Sequence, residues 1–358
     1  MQQNQLEKIV TPLLTWYHAN SRRLPWRENK DPYRIWVSEI MLQQTRVEAV
    51  IPYYERFMEH CPTVASLAAC DDEELLKLWE GLGYYSRAKN LKKAADIICT
   101  RYQGRFPEEV AEILELPGIG AYTAGAIASI AFEKAAAAVD GNVLRVITRL
   151  TEDSQDITDM AFRRQITQEL EKVYPLKDRG DFTQSIMELG AVVCVPNGVP
   201  KCEECPVKSL CGAYSRGTQL QYPVKKKKAL RKTEEKTVLI LKHQNRIAIR
   251  KRSGPGVLSG LWELPNLKGV STKQQLLQWL TEKGLVIKDI RKPGSGKQRL
   301  RHIFTHIEWQ MEYWIGDCES VGAENDFTWV STEQLETEIA LPTAFRKIYE
   351  KALKEDAF

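Results

Sequence analysis

The sequence lacks any run of eighteen apolar residues, the length that a helix needs to cross a membrane. Its start, MQQNQLEKIV, also lacks the basic segment and apolar stretch of a secretory signal peptide. We therefore expect a cytoplasmic protein without membrane contact. Because that compartment is reducing, we do not expect the eight cysteines to form disulfides. Clustered cysteines then indicate a metal site, and scattered ones indicate packing.

Acidic residues are scarce in residues 201–300. Residues 201–300 contain 23 Lys and Arg against 7 Asp and Glu, whereas the remaining residues contain 28 against 40. A block this basic favours nucleic acid, since neutralising backbone phosphates supplies most non-specific affinity. A solvated linker is the alternative explanation of the same charges.

The stretch from Leu114 to Arg149 predicts two helices joined by a glycine turn, followed by an isolated aspartate. One amphipathic helix ends before Pro117-Gly118-Ile119-Gly120, and a helix rich in small residues starts at Ala121. The glycines leave backbone N–H groups uncovered at the start of this second helix, where a phosphate is the natural ligand. A plain helix connector is the other interpretation. Asp140 then precedes a further helix, either as an N-cap, as a functional carboxylate, or as both.

A second carboxylate, Glu39, lies in a helix that we predict to open at Asp31-Pro32 and to continue through Val47. Its helical neighbours are mainly apolar, so burial should raise its pKa and make it a candidate proton donor. A partly exposed glutamate paired with an arginine is the alternative. Further on, the turn Gly81-Leu82-Gly83-Tyr84-Tyr85 precedes a basic helix, which suits an aromatic ring against bases and cations against phosphate.

Four cysteines occur within eighteen residues: Cys194, Cys202, Cys205 and Cys211. With no histidine among them, they can enclose a 4Fe-4S cluster, and zinc is the alternative. We interpret residues 223–234 as a basic interdomain linker. After it, Val238–Leu241 and Arg246–Arg250 predict a hairpin, Lys273–Lys283 a helix and Arg301–Trp314 a strand, which together fit an α+β sandwich.

The segments SEIMLQQT, GLGYYSRA, LPGIGAYTAGAI and VDGN resemble the adenine DNA glycosylase (MutY) branch of the helix-hairpin-helix DNA glycosylase superfamily. The resemblance covers nearly the whole chain. It implies that Glu39 donates a proton to adenine and that Asp140 stabilises the sugar cation. It also implies that Trp26 and Arg27 line the base pocket, that Gln184 contacts the adenine edge, and that Gln44 and Tyr84 wedge into the duplex. The hairpin glycines Gly118 and Gly120 complete the expected DNA contacts by leaving amides open to a phosphate.

Strand-cutting relatives have a lysine two residues after the second glycine of the hairpin, where its amine attacks the sugar. This chain has Tyr122 there. A tyrosine cannot form an imine, so the resemblance implies cleavage of the glycosidic bond by water. The family spaces its four cluster cysteines x6, x2 and x5, and this chain has one residue more in the first interval, which we expect a surface loop to absorb.

The C-terminal half resembles the Nudix-like domain of the same family. The glutamate-dense helix that holds magnesium in Nudix hydrolases is missing, since Thr272–Gly284 contains a single glutamate, Glu282. We therefore predict a recognition domain, in which Phe304-Thr305-His306 takes the place of the family's Phe-Ser-His loop that senses 8-oxoguanine.

These observations predict a multidomain protein: an all-α helix-hairpin-helix glycosylase region with an iron-sulfur cluster loop at 1–222, the linker at 223–234, and an α+β Nudix-like domain at 235–358. The expected function is excision of adenine opposite 8-oxoguanine or guanine in double-stranded DNA by a monomer acting at the bacterial nucleoid. A bifunctional endonuclease III-like pyrimidine glycosylase and a non-catalytic DNA-binding scaffold are the alternatives.

Overall fold

The protein is represented by a computed structural model that describes residues 3–226, 230–293, 299–322 and 325–355. It divides into two compact units. The first comprises Met1–Cys70 and Lys89–Lys227, and the second comprises Asp71–Ala88 and Lys228–Phe358. A short helical segment from the N-terminal half therefore belongs to the second unit.

The helices of the N-terminal two thirds are, in chain order, α1 (Gln3–Asn20), α2 (Pro32–Leu42), α3 (Val47–His60), α4 (Val64–Ala69), α5 (Asp72–Leu78), α6 (Ser86–Arg101), α7 (Val110–Leu114), α8 (Ala121–Phe132), α9 (Gly141–Thr151), α10 (Met160–Glu171), α11 (Arg179–Val192) and α12 (Gly212–Arg216). Of these, α5 and the start of α6 belong to the second unit. The rest agrees with the predicted all-α region.

The central helix of the first unit is α8, which packs against α2, α7 and α11. Small residues permit this close packing: a Cβ on Gly125 would lie 2.5 Å from the carbonyl oxygen of Ala137, and one on Gly180 would lie 2.9 Å from the Cα of Ile130. A second cluster of buried apolar side chains joins α1, α9, α10 and α11. These contacts bring the start of α8 close to the middle of α2.

The predicted start of α2 is confirmed, because Asp31 caps the helix by accepting a hydrogen bond from the Tyr33 amide and Pro32 is its first residue. The predicted continuation through Val47 is wrong. The helix ends at Leu42, and α3 begins at Val47. The apolar spacing continues across two helices, so it could not reveal the turn between them.

The elements of the C-terminal part are β1 (Lys232–His243), β2 (Arg246–Lys251), β3 (Trp262–Glu263), β4 (Asn266–Lys268), α13 (Lys273–Glu282), β5 (Leu285–Arg291), β6 (Leu300–Ile303), β7 (Ile307–Val321), β8 (Thr328–Ser331), α14 (Thr332–Thr337) and α15 (Thr343–Glu355). The strands form a mixed sheet in the order β3-β2-β1-β7-β5, with β4 on β1, β6 on β7 and β8 on β2. Strands β1 and β7 are parallel, and the other pairs are antiparallel.

Strand β1 is buried on both faces because its side chains alternate between two cores. Val238 and Ile240 join the cluster that contains α15, and Leu239 and Leu241 join the cluster that contains α13. The sheet therefore lies between helices, as the predicted α+β sandwich requires. The predicted hairpin is confirmed as β1 and β2, and the predicted helix as α13.

Two predictions for this half need correction or completion. The stretch Arg301–Trp314 is not one strand, since β6 ends at Ile303 and β7 starts at Ile307 after a tight turn. The predicted linker, 223–234, includes the start of β1 at Lys232, and its residues 227–229 lie outside the described residues. Among the described helices, none is long and apolar enough to cross a membrane.

Candidate active site

Glycine occupies the two positions of the helical hairpin for different structural reasons. Gly118 has φ +80°, and a Cβ there would lie 2.8 Å from the Cβ of Asn90, so both backbone and space require glycine. Gly120 is the N-cap of α8 with ordinary φ, and a Cβ there would meet nothing within 4 Å. The missing side chain at Gly120 therefore leaves the first amides of α8 uncovered, which is the arrangement expected for a bound phosphate.

Glu39 lies on the buried face of α2, with 7% of its surface exposed. The hydroxyl of Tyr122, in the first turn of α8, donates a 2.6 Å hydrogen bond to its Oε2. Burial raises the pKa of Glu39 to about 7, although the Tyr122 bond and the charge of Arg27 act in the opposite direction. Burial and the neighbouring Glu39 also raise the pKa of Tyr122, so its phenol stays a donor.

Asp140 is the N-cap of α9. Its Oδ1 accepts hydrogen bonds from the amides of Asn142 and Val143, both at 2.8 Å, and its Oδ2 accepts one from Nδ2 of Asn142 at 2.7 Å. Burial raises the pKa of Asp140 above its ordinary value, and these three donors oppose that rise. The capping and functional interpretations are compatible, because the capped carboxylate also borders the cavity described next.

Both carboxylates line one cavity of about 700 Å³ in the first unit. Most of the first-unit residues predicted from the sequence border it as well: Trp26, Arg27, Glu39, Gln44, Gly120, Tyr122, Asp140 and Gln184. The structure thus brings both carboxylates and most of the predicted base-contacting side chains together around one space. Gly118 lies two residues before Gly120, the hairpin glycine that borders this cavity.

Sequence reasoning missed the carboxylate of Glu188, which borders the same cavity and is 1% exposed. Arg22 donates to it through Nε at 2.7 Å and Nη2 at 3.1 Å, and Arg27 through Nη2 at 2.9 Å. Burial alone would raise the pKa of Glu188, but the two guanidinium groups lower it. One buried carboxylate thus holds two arginines at the cavity wall. No local sequence motif predicts that Glu188 pairs with Arg22 and Arg27.

Both predicted wedge residues have left-handed backbone conformations. Gln44 has φ +61° in the turn after α2, and Tyr84 has φ +48° in the turn before α6. Non-glycine residues avoid this region unless their surroundings enforce it, and such residues cluster at functional sites. Gln44 belongs to the first unit and Tyr84 to the second.

Around Tyr84, one expectation fails. Arg87 belongs to the basic helix whose cations we expect against phosphate, but it is 9% exposed and donates to the carbonyl oxygens of Leu82 and Gly83. Its guanidinium also lies over the rings of Trp79 and Tyr84. Burial lowers the pKa of Arg87 to about 10. Arg87 therefore supports the turn, and Tyr84 remains 45% exposed at its tip.

The predicted recognition loop is the turn between β6 and β7. Phe304 packs edge-on between His302 and Trp309, with ring centroids 4.7 Å from each. Thr305 and His306 are exposed. The hydroxyl oxygens of Tyr84 and Thr305 lie 3.3 Å apart, both within the second unit, so two residues predicted to contact DNA are adjacent.

The four clustered cysteines border one small, almost wholly apolar cavity after α11. Residues 196–199, in the longer first interval, form an exposed irregular loop, which accommodates the extra residue. Burial raises the pKa of Cys205 to about 12 and also raises those of Cys202 and Cys211. Across the described ranges, no group of three or more His, Cys, Asp or Glu side chains is arranged to hold a metal ion.

Comparison with known proteins gives two family matches. Residues 37–172 match the HhH-GPD superfamily of base excision DNA repair proteins, and residues 236–351 match the NUDIX domain. The first match contains Glu39, Tyr122 and Asp140. The second contains the 304–306 loop.

Individual relatives agree. The chain is 36% identical over 296 residues to the adenine DNA glycosylase of Buchnera aphidicola subsp. Schizaphis graminum, covering 82% of this chain and 83% of that one. It is 35% identical over 346 residues to that of subsp. Baizongia pistaciae, covering 96% of each. A solved thermostable thymine-DNA glycosylase is 32% identical with a TM-score of 0.54, covering 60% of this chain and 98% of that chain. With relatives above 30% identity covered over 83% and 96% of their length, and with both domain types in the same chain, the chain belongs to the adenine DNA glycosylase family.

Proposed function

We propose that this protein is a monofunctional adenine DNA glycosylase that hydrolyses the N-glycosidic bond of adenine paired with 8-oxoguanine or guanine in double-stranded DNA. The observation that carries the proposal is the pairing of a buried Glu39, held by the Tyr122 hydroxyl, with the capped Asp140 in one cavity. We infer that it acts as a monomer in the cytoplasm, at the nucleoid.

In this proposal the two carboxylates have different roles in the reaction. With a pKa of about 7, Glu39 is protonated in much of the population near neutrality and can donate that proton to the adenine, which makes the base a better leaving group. Breaking the glycosidic bond leaves positive charge on the deoxyribose, and the ionised Asp140 stabilises it. Water then attacks the sugar carbon that lost the base, and the proton that this water releases passes to solvent. Because the bond is buried in the duplex, the nucleotide must first be flipped into the cavity.

The side chains around the carboxylates hold and orient the base in this proposal. Trp26, Arg27 and Gln184 border the cavity, and the arginine is fixed by Glu188. The uncovered amides after Gly120 hold a backbone phosphate. Gln44 and Tyr84 enter the duplex to fill the space of the flipped nucleotide.

The test is to incubate the protein with duplexes that carry adenine opposite 8-oxoguanine, adenine opposite guanine, or an oxidised pyrimidine, and to identify the released base by mass spectrometry. We expect free adenine from the first two duplexes. Release of the pyrimidine would favour the endonuclease III-like alternative, and release of no base would favour the scaffold.

Tyr122 gives a separate test of the monofunctional mechanism. Without an amine at this position, borohydride should trap little covalent complex, and strand cleavage should appear after alkali treatment. Efficient trapping that disappears when a lysine elsewhere is substituted would refute hydrolysis by water alone.

We infer that Cys194, Cys202, Cys205 and Cys211 ligate one 4Fe-4S cluster. Four thiols with no histidine around a single apolar cavity are a donor set suited to it. Held by these four residues, such a cluster would tie the loop after α11 to the start of α12. Iron and sulfide analysis with visible absorbance tests the assignment, and stoichiometric zinc would replace it.

For the second unit, we propose that the Thr305 hydroxyl contacts the oxidised base opposite the adenine. Thr305→Ala should reduce the rate ratio of 8-oxoguanine to guanine substrates by roughly two- to tenfold, the effect of one hydrogen bond. A protein ending near Pro223 should still release adenine but lose about ten- to two-hundredfold of this preference. Comparing ratios at one salt concentration removes the effect of the lost linker lysines. An unchanged ratio in the truncated protein would place recognition elsewhere.

A further inference from the structure

The carboxylate of Glu80, just after α5, is held from several sides within the second unit. Its Oε1 accepts hydrogen bonds from the Leu341 amide at 3.1 Å and from Nε and Nη2 of Arg346 at 3.0 and 2.7 Å. Its Oε2 accepts one from Nζ of Lys77 at 2.7 Å. The Glu80 and Arg346 side chains are 17% and 13% exposed, so water screens this pair less than a surface ion pair. We call Lys77, Glu80 and Arg346 the Glu80 anchor.

The anchor also caps the end of α14. Lys77 donates to the carbonyl oxygens of Leu335 and Ile339 at 3.2 and 3.1 Å, and Arg346 donates to that of Leu335 at 2.8 Å. Cations at a helix C-terminus satisfy carbonyl groups that lack partners and interact favourably with the helix dipole. The anchor therefore uses backbone as well as side-chain acceptors.

A second attachment lies near the start of α5. Glu73 accepts a hydrogen bond from Nε1 of Trp262 at 2.8 Å and pairs with Nζ of Lys251 at 2.6 Å. Helix α5 is thus tied to β2 and β3 by Glu73, and to α14 and α15 by the anchor.

The turn that follows the anchor is stiff. Trp79 donates through Nε1 to the Gly83 carbonyl at 3.1 Å, and Arg87 donates to the same oxygen at 3.1 Å. Gly81 and Gly83 have φ values of +101° and +71°. Four residues after Glu80, this turn ends in Tyr84, whose hydroxyl lies 3.3 Å from that of Thr305.

We propose that the Glu80 anchor positions Tyr84 beside Thr305, so that the C-terminal residues select the opposite base partly by fixing the wedge and not through the Thr305 contact alone. Lys77, Glu80 and Arg346 are positioning residues, because none of them touches Thr305 or borders the cavity of the first unit. The selectivity part of this inference rests on the proposed function. Its structural part does not.

The structural part is tested by hydrogen exchange of the full-length protein, measured by mass spectrometry. Arg346→Gln should raise amide exchange in peptides covering residues 79–85 by about tenfold or more, since hydrogen bonds to a charged group are lost. The matched control is Glu336→Gln, which removes a second, 54% exposed carboxylate that pairs with Arg346 and leaves Glu80 in place. Unchanged exchange in Arg346→Gln, or an equal rise in the control, would overturn the anchor.

A double-mutant cycle and the rate of adenine release distinguish local loosening of residues 79–85 from global unfolding. Glu80→Gln and Arg346→Gln combined should raise exchange by less than the sum of the two single changes, because both remove the Glu80–Arg346 pair, although Glu80→Gln also loses the charge that holds Lys77. Adenine release at saturating enzyme should stay near the wild-type rate in Arg346→Gln. If Arg346→Gln melts early, Arg346→Lys, which keeps the charge and loses the second donor, should give an intermediate exchange rate; wild-type exchange in that variant would count against the pairing.

The selectivity part is tested with limiting enzyme. Arg346→Gln should lower the rate ratio of 8-oxoguanine to guanine duplexes by about three- to tenfold, and this effect should vanish in a Tyr84→Ala background. A normal ratio together with raised exchange would show that the anchor holds the turn without selecting the base, and would refute this part. If the wild-type protein releases no base, the proposed function fails, and the exchange result still decides the anchor.

Discussion

Glu39 and Asp140 line the same cavity, but their backbone surroundings differ. Glu39 lies in the middle of α2, where backbone amides are used by the helix itself, so its carboxylate takes a side-chain donor, Tyr122. Asp140 lies at the start of α9, where amides have no partner within the helix and the dipole favours an anion. Position along a helix therefore gives the two carboxylates different hydrogen-bond donors, although both border the same cavity.

The largest effect should come from Glu39→Gln. The amide keeps the shape and the Tyr122 contact but cannot donate the proton, so adenine release should fall by about a hundred- to ten-thousandfold while duplex binding remains. Single-turnover rates with saturating enzyme and a parallel binding assay measure the two effects. A rate close to wild type would remove Glu39 from the acid role.

Asp140→Asn sharpens the comparison, because asparagine caps helices about as well as aspartate. It removes the charge and keeps α9 intact, so the rate should fall by about a hundred- to a thousandfold with little change in melting temperature. Since Asp140 raises the pKa of Glu39, the alkaline limb of the residual activity should move to lower pH. Asp140→Ala is the control: it should also lose about 1 kcal/mol of stability through the missing cap.

Tyr122→Phe should move the alkaline limb in the opposite direction. The Tyr122 hydrogen bond lowers the pKa of Glu39, so its loss raises that pKa and keeps the acid protonated to higher pH. In the wild type, activity should fall as pH rises through about 7, where Glu39 ionises. The shift should be about one pH unit, the value of one hydrogen bond to a charged group, in the pH profile of kcat/KM. A shift to lower pH would show that Tyr122 does not act on the Glu39 proton.

Local sequence patterns predicted which residues form this site, but they did not predict which of those residues contact each other. Capping chemistry gave Asp140 its helix position, and apolar spacing gave Glu39 its burial. The Tyr122 bond to Glu39 joins residues 83 apart in the chain, and Glu188 meets its arginines across 161 and 166 residues. Such contacts depend on how α2, α8 and α11 pack, which local periodicity does not encode. The same limit explains the missed turn that contains Gln44 and the burial of Arg87.

The smallest effect should come from Arg27, whose charge lowers the pKa of Glu39 less than the Tyr122 bond does. Arg27→Gln should move the alkaline limb to higher pH by less than Tyr122→Phe, because a charge is lost while the direct bond remains. Arg27→Lys is the control, since it keeps the charge and gives up the two-donor fork toward Glu188 and the Arg22 carbonyl. It should leave the limb in place and raise KM. If both variants shift the limb equally, Arg27 acts on Glu39 through packing and not through its charge, and the Tyr122 bond remains the main contact that lowers the pKa of Glu39.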